Sequence, residues 1–158
     1  SEREHKTKST PEGVIENPLN PLALALASGA TFVARGFSGD VKTLTDVMVR
    51  AIKHKGFSLV DVMSPCVTYN KVNTYDWFRQ RVYVVDKEGH DPKDRMAAWA
   101  RASEWPNLDM KRARVPTGVI YEADYPTYED LEPAYRHGVP AKQKLGIADP
   151  EDVLKQFF

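Results

Sequence analysis

A single cysteine, Cys66, stands in a chain of 158 residues. One thiol closes no intrachain disulfide, so nothing in the sequence demands an oxidising compartment. Long hydrophobic runs are missing too. The longest, Leu22 to Ala27, falls far short of the roughly 20 residues that span a bilayer as a helix. Net charge is missing as well: 22 basic and 22 acidic residues cancel, which leaves no global field to attract nucleic acid or an anionic membrane surface. The opening stretch Ser1-Glu2-Arg3-Glu4-His5-Lys6 is polar and carries no apolar core of a signal peptide. Cytoplasm is the expected compartment, and neither nucleic acid nor a membrane is an expected partner. The sequence also begins without methionine.

What is present suits a globular fold. Hydrophobic residues make up 42% and charged residues 28%, enough for one domain over 1–158 with a real core. Residues 1–16, with Pro11 and Gly13, read as an extended segment. Asn20-Pro21 is an N-cap followed by a first-turn proline, and Leu22 to Ala27 continue as helix until Gly29. Thr31 to Arg35 is a β-branched and aromatic run, read as a strand. Gly36 to Gly39 reads as a turn, and Asp40 caps a helix with apolar spacing at Val41, Leu44, Val47, Met48, Ala51 and Ile52. Gly56 ends it, and Phe57 to Met63 reads as a second strand. Strand, helix and strand within about 30 residues predict a right-handed βαβ unit. Beyond it the sequence predicts helices over 74–81 and 93–105 and strands over 82–85 and 117–121. Residues 122–158 form a C-terminal extension, in which 124–140 wrap over the surface and Asp149-Pro150 cap a terminal helix ending in Phe157-Phe158.

Ligands gather beyond the carboxyl ends of strands in open α/β sheets, and Ser64-Pro65-Cys66 follows such a strand. Three readings stand open for Cys66: a small buried hydrophobe, a catalytic thiol, or a metal ligand. His5, His54, His90 and His137 show no metal-ligand spacing and supply no evident base. His54 reads as a helix C-terminal cation, and His90 and His137 as residues of exposed turns. The loop Arg35 to Asp40 has two glycines before a helix but matches no phosphate-binding fingerprint, and reads as a structural turn. Lys111, Arg112 and Arg114 form a small basic cluster on a solvated face. Tyr69, Tyr75, Trp77 and Phe78 suit a core or a subunit interface.

Several stretches in order carry a resemblance. They include Lys6-Thr7-Lys8-Ser9-Thr10-Pro11-Glu12-Gly13, Asn17 to Ala25, Ala30 to Asp40, and His54-Lys55-Gly56-Phe57. Ser64-Pro65-Cys66-Val67-Thr68-Tyr69-Asn70, Asn73 to Phe78, Arg81-Val82-Tyr83, Val115 to Tyr121 and Pro126-Thr127-Tyr128-Glu129 continue it. Together they resemble the C-terminal part of the beta subunit of 2-oxoacid:ferredoxin oxidoreductases. The resemblance implies an α/β fold: the parallel-sheet portion of a thiamine-diphosphate-binding domain, with helices on the sheet faces and an irregular C-terminal extension. It implies oxidative decarboxylation of a 2-oxoacid to an acyl-CoA, with thiamine diphosphate and magnesium as cofactors and electrons leaving through a 4Fe–4S cluster to ferredoxin. Cys66 matches the family's cysteine ligand to that cluster. The other three thiolates and the Gly-Asp-Gly stretch that holds magnesium and diphosphate lie N-terminal to this region in the family. The chain therefore reads as half of a subunit, a fragment or a split gene product, that binds neither cofactor well alone; the alternative is a noncatalytic assembly or interaction module that retains the fold, with Cys66 simply buried. The implied partners are the alpha subunit, the missing N-terminal half of the beta subunit, ferredoxin, coenzyme A and the 2-oxoacid. The Asn73 to Phe78 stretch leans toward members that use 2-oxoglutarate or 2-oxoacids broadly.

Overall fold

Asn20 begins the regular structure: its side-chain oxygen accepts the Ala23 N–H, and Pro21 opens helix α1, Pro21–Ala27. In the computed structural model, which describes residues 5–6, 10–106, 113–143, 149, 151, 154–155 and 157, the chain then enters strand β1, Phe32–Phe37. Helix α2, Val41–Lys53, starts on the Asp40 cap, and strand β2, Ser58–Met63, returns parallel to β1. This is the predicted βαβ pairing.

Short elements follow: helix α3, Tyr75–Arg79; strand β3, Val82–Val84; and helix α4, Arg95–Ser103. Strand β4, Val115–Glu122, completes a sheet of order β2-β1-β4-β3. Two of its three pairings are parallel, and the third, β1 with β4, is antiparallel. The sheet is thus mixed, though mainly parallel, where the resemblance implied a parallel one.

Helices cover both faces. On one, Phe32, Ala34 and Val119 pack under Leu44, Val47 and Ala51 of α2. On the other, Val33 and Ile120 pack under Leu22 and Leu26 of α1 and Ala98 and Ala102 of α4. An aromatic group at the sheet's end, Phe37, Phe78 and Trp105, closes around Met63 and Val115.

Strand β1 runs two residues beyond its predicted end. Gly36 belongs to the strand, and a Cβ there would lie 2.5 Å from Leu44 Cδ1, so the missing side chain lets α2 sit close. Phe37 is buried against Phe78 rather than turned to solvent. Strand β4 also begins earlier than its predicted start and carries a bulge, where the register against β1 shifts between Val33 and Ala34. Gly118, paired with Arg35 two residues before the bulged Ile120, holds φ at +108°, a conformation that the pattern of neighbouring apolar residues does not announce.

The chain divides into two compact units, 1–125 and 126–158. Within the second, helix α5, Tyr128–Leu131, is closed by a reciprocal capping box of Thr127 and Asp130. Two 3-10 turns follow, Pro133–His137 and Pro140–Lys142. The Gln143 amide nitrogen ties them by donating to the Ala134 and Gly138 carbonyls at 2.6 and 2.7 Å. The expected terminal helix up to Phe158 lies largely outside the described residues.

Candidate functional site

Proline ends the β2 ladder and Cys66 follows in the loop, just beyond the carboxyl end of the strand. The thiol is exposed. The hydrophobe reading expects burial; in this chain residues 64–73 leave the sheet as an open loop that keeps Cys66 exposed. The loop is nonetheless held in shape. Asn70 N–H donates to the Cys66 carbonyl at 2.9 Å. The Asn70 side-chain oxygen accepts the N–H groups of Val72 and Asn73, each at 2.9 Å, and its amide nitrogen donates to Asn73 Oδ1 at 2.9 Å. This is an Asx turn that replaces missing ladder bonds with side-chain ones. Lys71 Nζ donates to the Val67 carbonyl, and Thr74 then caps α3 by accepting Trp77 N–H.

Beside this loop lies a cavity of about 430 Å³, lined by Cys66, Asn70 and Asn73 on one wall and by Met63, Phe78 and Trp105 on another. Its aromatic wall is built edge-on: Phe78 meets Trp105 at 6.1 Å and Trp77 at 4.9 Å between ring centroids. Behind Trp105 sits Arg35, fully buried, with its guanidinium 5.1 Å from the indole centroid. Arg35 Nε donates to Asp61 Oδ2 at 2.9 Å across the β1–β2 pair. Burial pushes the Arg35 guanidinium below its ordinary pKa, and Asp61 pulls it back only in part. Among the described residues, Arg35 Nη1 and Nη2 and the Trp105 indole nitrogen have no hydrogen-bond partner. Sequence reading missed Arg35, Asn70 and Trp105; a lone arginine inside a hydrophobic strand run was the signal available for the first.

A second polar cluster surrounds Tyr83. Its hydroxyl donates to Glu104 at 2.6 Å and accepts from Arg101 at 3.1 Å, while Arg114 stacks 3.9 Å over the ring and pairs with Glu88. Burial first, and then the Glu104 carboxylate, push the Tyr83 hydroxyl pKa well up. Arg114 is therefore engaged in ion pairing, and its expected companions Lys111 and Arg112 lie outside the described residues. Of the histidines, His54 ends α2 and shares a hydrogen bond of 2.8 Å with Thr31. His90 differs from expectation: it is half-buried and its Nε2 donates to the Ile120 carbonyl at 2.8 Å, tying the turn to β4. His137 is exposed, as expected. The Arg35 to Asp40 stretch acts structurally, with Asp40 accepting the Thr43 N–H at 3.1 Å.

Among the described residues no group of three His, Cys, Asp or Glu side chains converges to hold a metal ion. An iron–sulfur cubane needs about four thiolates, and Cys66 is the one cysteine of the sequence, so the described residues by themselves make neither a cubane site nor a carboxylate set for a magnesium diphosphate. Among the same residues no helix is long and apolar enough to cross a membrane.

Two family patterns match the chain. One is the C-terminal TPP binding domain of thiamine pyrophosphate enzymes, over residues 1–62, and the other is the C-terminal region of pyruvate ferredoxin oxidoreductase beta subunits, over residues 66–137. The 2-oxoacid:ferredoxin oxidoreductase subunit beta of a Sulfolobus species is 40% identical over 158 residues, covering 90% of this chain and 50% of that protein. Its counterpart in Saccharolobus solfataricus is 37% identical, covering 96% of this chain and 54% of that protein. Among solved structures, a 2-oxoglutarate:ferredoxin oxidoreductase from Magnetococcus marinus, with 2-oxoglutarate, coenzyme A and succinyl-CoA bound, superposes with a TM-score of 0.80 at 32% identity, over 99% of this chain and 50% of that one. The chain thus spans about half the length of the relatives it matches. It belongs to the oxidoreductase family of 2-oxoacid:ferredoxin oxidoreductase beta subunits, whose C-terminal part it resembles.

Proposed function

We propose that this chain serves as the C-terminal half of a beta subunit in an enzyme that oxidatively decarboxylates a 2-oxoacid to an acyl-CoA and hands the electrons to ferredoxin. The observation that carries this reading is Cys66 itself. It is an exposed thiol at the carboxyl end of a parallel strand, in a loop pinned by Asn70 and opening on a cavity. A thiol so held is ready to ligate, because its backbone is ordered before any metal arrives.

In this reading Cys66 supplies one ligand of a 4Fe–4S cluster. The other thiolates, and the residues that hold magnesium and the diphosphate, come from the N-terminal half of the subunit. Thiamine diphosphate, when bound, supplies the carbanion chemistry. The residues of this chain do the positioning. Asn70 and Asn73 fix the Cys66 backbone, and the Phe78–Trp105 wall keeps water from one side of the cavity. The alpha subunit, ferredoxin and coenzyme A are the proposed partners, and 2-oxoglutarate or a broad range of 2-oxoacids the proposed substrate. Support comes from the Magnetococcus enzyme, whose structure carries 2-oxoglutarate and coenzyme A.

The test is ferredoxin reduction by the complete enzyme, followed anaerobically with coenzyme A and 2-oxoglutarate, then with pyruvate. Reduction that depends on both the 2-oxoacid and coenzyme A is expected. A complete enzyme that reduces ferredoxin with no 2-oxoacid contradicts the reading.

A further inference from the structure

Arg35 is wholly buried inside a sheet strand. It alternates with Val33 along β1 and so lies on the sheet face that α1 and α4 cover. Of its three side-chain nitrogens only Nε has an acceptor, Asp61 of the neighbouring strand at 2.9 Å. Nη1 and Nη2 have none among the described residues. Both are sealed from solvent by this chain itself, out of reach of any added partner. A buried charged donor without an acceptor is costly, and a buried ion pair adds little net stability over packed apolar side chains. Stability alone therefore does not account for a guanidinium at this point.

The group that the guanidinium does meet is a ring. Arg35 Cζ stands over the Trp105 indole, 5.1 Å from its centroid, and cation–π contacts are strongest where water is excluded. Trp105 has no polar hold of its own: its indole nitrogen is buried without an acceptor, and Phe78 meets it edge-on at 6.1 Å. The chain just before it is fixed. Helix α4 ends at Ser103, and the Glu104 carboxylate accepts from the Tyr83 hydroxyl at 2.6 Å and from Arg101 at 2.8 Å. The ring itself is left to apolar packing and to the cation behind it. That same ring lines the cavity on which Cys66, Asn70 and Asn73 open.

We propose that Arg35 is a positioning residue of the Cys66 cavity: its guanidinium, anchored on Asp61, holds the Trp105 ring in place as the cavity wall. Arg35 is not among the residues that line the cavity, and it acts through the indole. The proposal rests on the reading of that cavity as part of the 2-oxoacid-oxidising enzyme, where a displaced wall admits water.

A double-mutant cycle on the complete oxidoreductase tests it, with ferredoxin reduction as the rate. Arg35→Gln is expected to lower kcat about tenfold, as small displacements set off far from the chemistry can do, while KM for the 2-oxoacid and for coenzyme A stays within about twofold. Trp105→Leu should give a similar loss, and the double variant no more than the larger of the two, because both changes remove one contact. Asp61→Asn keeps an oxygen for Arg35 Nε, so it should lower stability and leave kcat within about twofold of the parent. Losses that multiply in the double variant, or a loss in Asp61→Asn as large as in Arg35→Gln, overturn the positioning role. They leave the proposed function standing, because the parent enzyme's dependence on 2-oxoacid and coenzyme A is read in the same assay. If Arg35→Gln does not assemble, the ring's side of the contact decides. Trp105→Phe keeps a face over the guanidinium and should lose less of kcat than Trp105→Leu; equal losses overturn the proposal.

Discussion

Arg35 and Asp61 form the most consequential pair of single residues in the sheet. The guanidinium is wholly buried and the carboxylate nearly so, at 0% and 16% side-chain exposure. Removing one partner of a buried ion pair leaves the other charge uncompensated, which typically costs about 3–5 kcal/mol. Asp61→Ala is therefore expected to lower stability by about that amount in urea denaturation, more than any single loss on the exposed Arg79–Asp76 pair, where exposed ion pairs contribute about 0–1 kcal/mol. A loss below about 1 kcal/mol would mean that Arg35 finds another anion. Little of this was legible in the sequence. Arg35 and Asp61 are 26 residues apart, and only the strand register brings them together. Cys66 was legible as a residue, because proline after a strand run announces a loop, but its exposure depended on how far the following helix stood off.

Helix α2 shows which local signals survive folding. Asp40, its apolar period and the closing Gly56 all marked it in the sequence, because capping and amphipathicity are short-range physics. The Asp40 carboxylate accepts from the Thr43 hydroxyl at 2.7 Å as well as from its N–H. The hydroxyl bond, more than any other cause, holds this carboxyl below its ordinary value of 3.8. The sign follows directly. A depressed carboxylate adds stability that is present above its unfolded pKa and is lost as pH falls through the folded value. Asp40→Ala is expected to cost about 1 kcal/mol at neutral pH, and less in acid, once pH has fallen through the folded-state value of this carboxyl. Asp40→Asn should keep the cap and lose the acid dependence, which urea denaturation at the two pH values will read. Strand β4 shows the opposite case. Its antiparallel direction, its bulge and the positive φ of Gly118 depend on pairing with β1, a strand far earlier in the chain. No local pattern encodes a partner so distant.

At the scale of the whole molecule, the family likeness was carried by many ordered stretches rather than by one motif, and both family patterns and the Magnetococcus structure agree with it. One consequence is chemical. After anaerobic reconstitution, this chain alone is expected to retain negligible iron, because one thiolate does not hold a cubane. Stoichiometric iron on the isolated chain would require several copies to share a cluster.

The central claim is that Cys66 ligates the cluster through which electrons leave. Its most direct test is low-temperature paramagnetic resonance of the reduced, complete enzyme with Cys66→Ser. The account predicts that the signal of the cluster that Cys66 ligates is lost or strongly weakened and that ferredoxin reduction falls with it. An unchanged signal at full iron content would remove Cys66 from the ligand set and contradict the account.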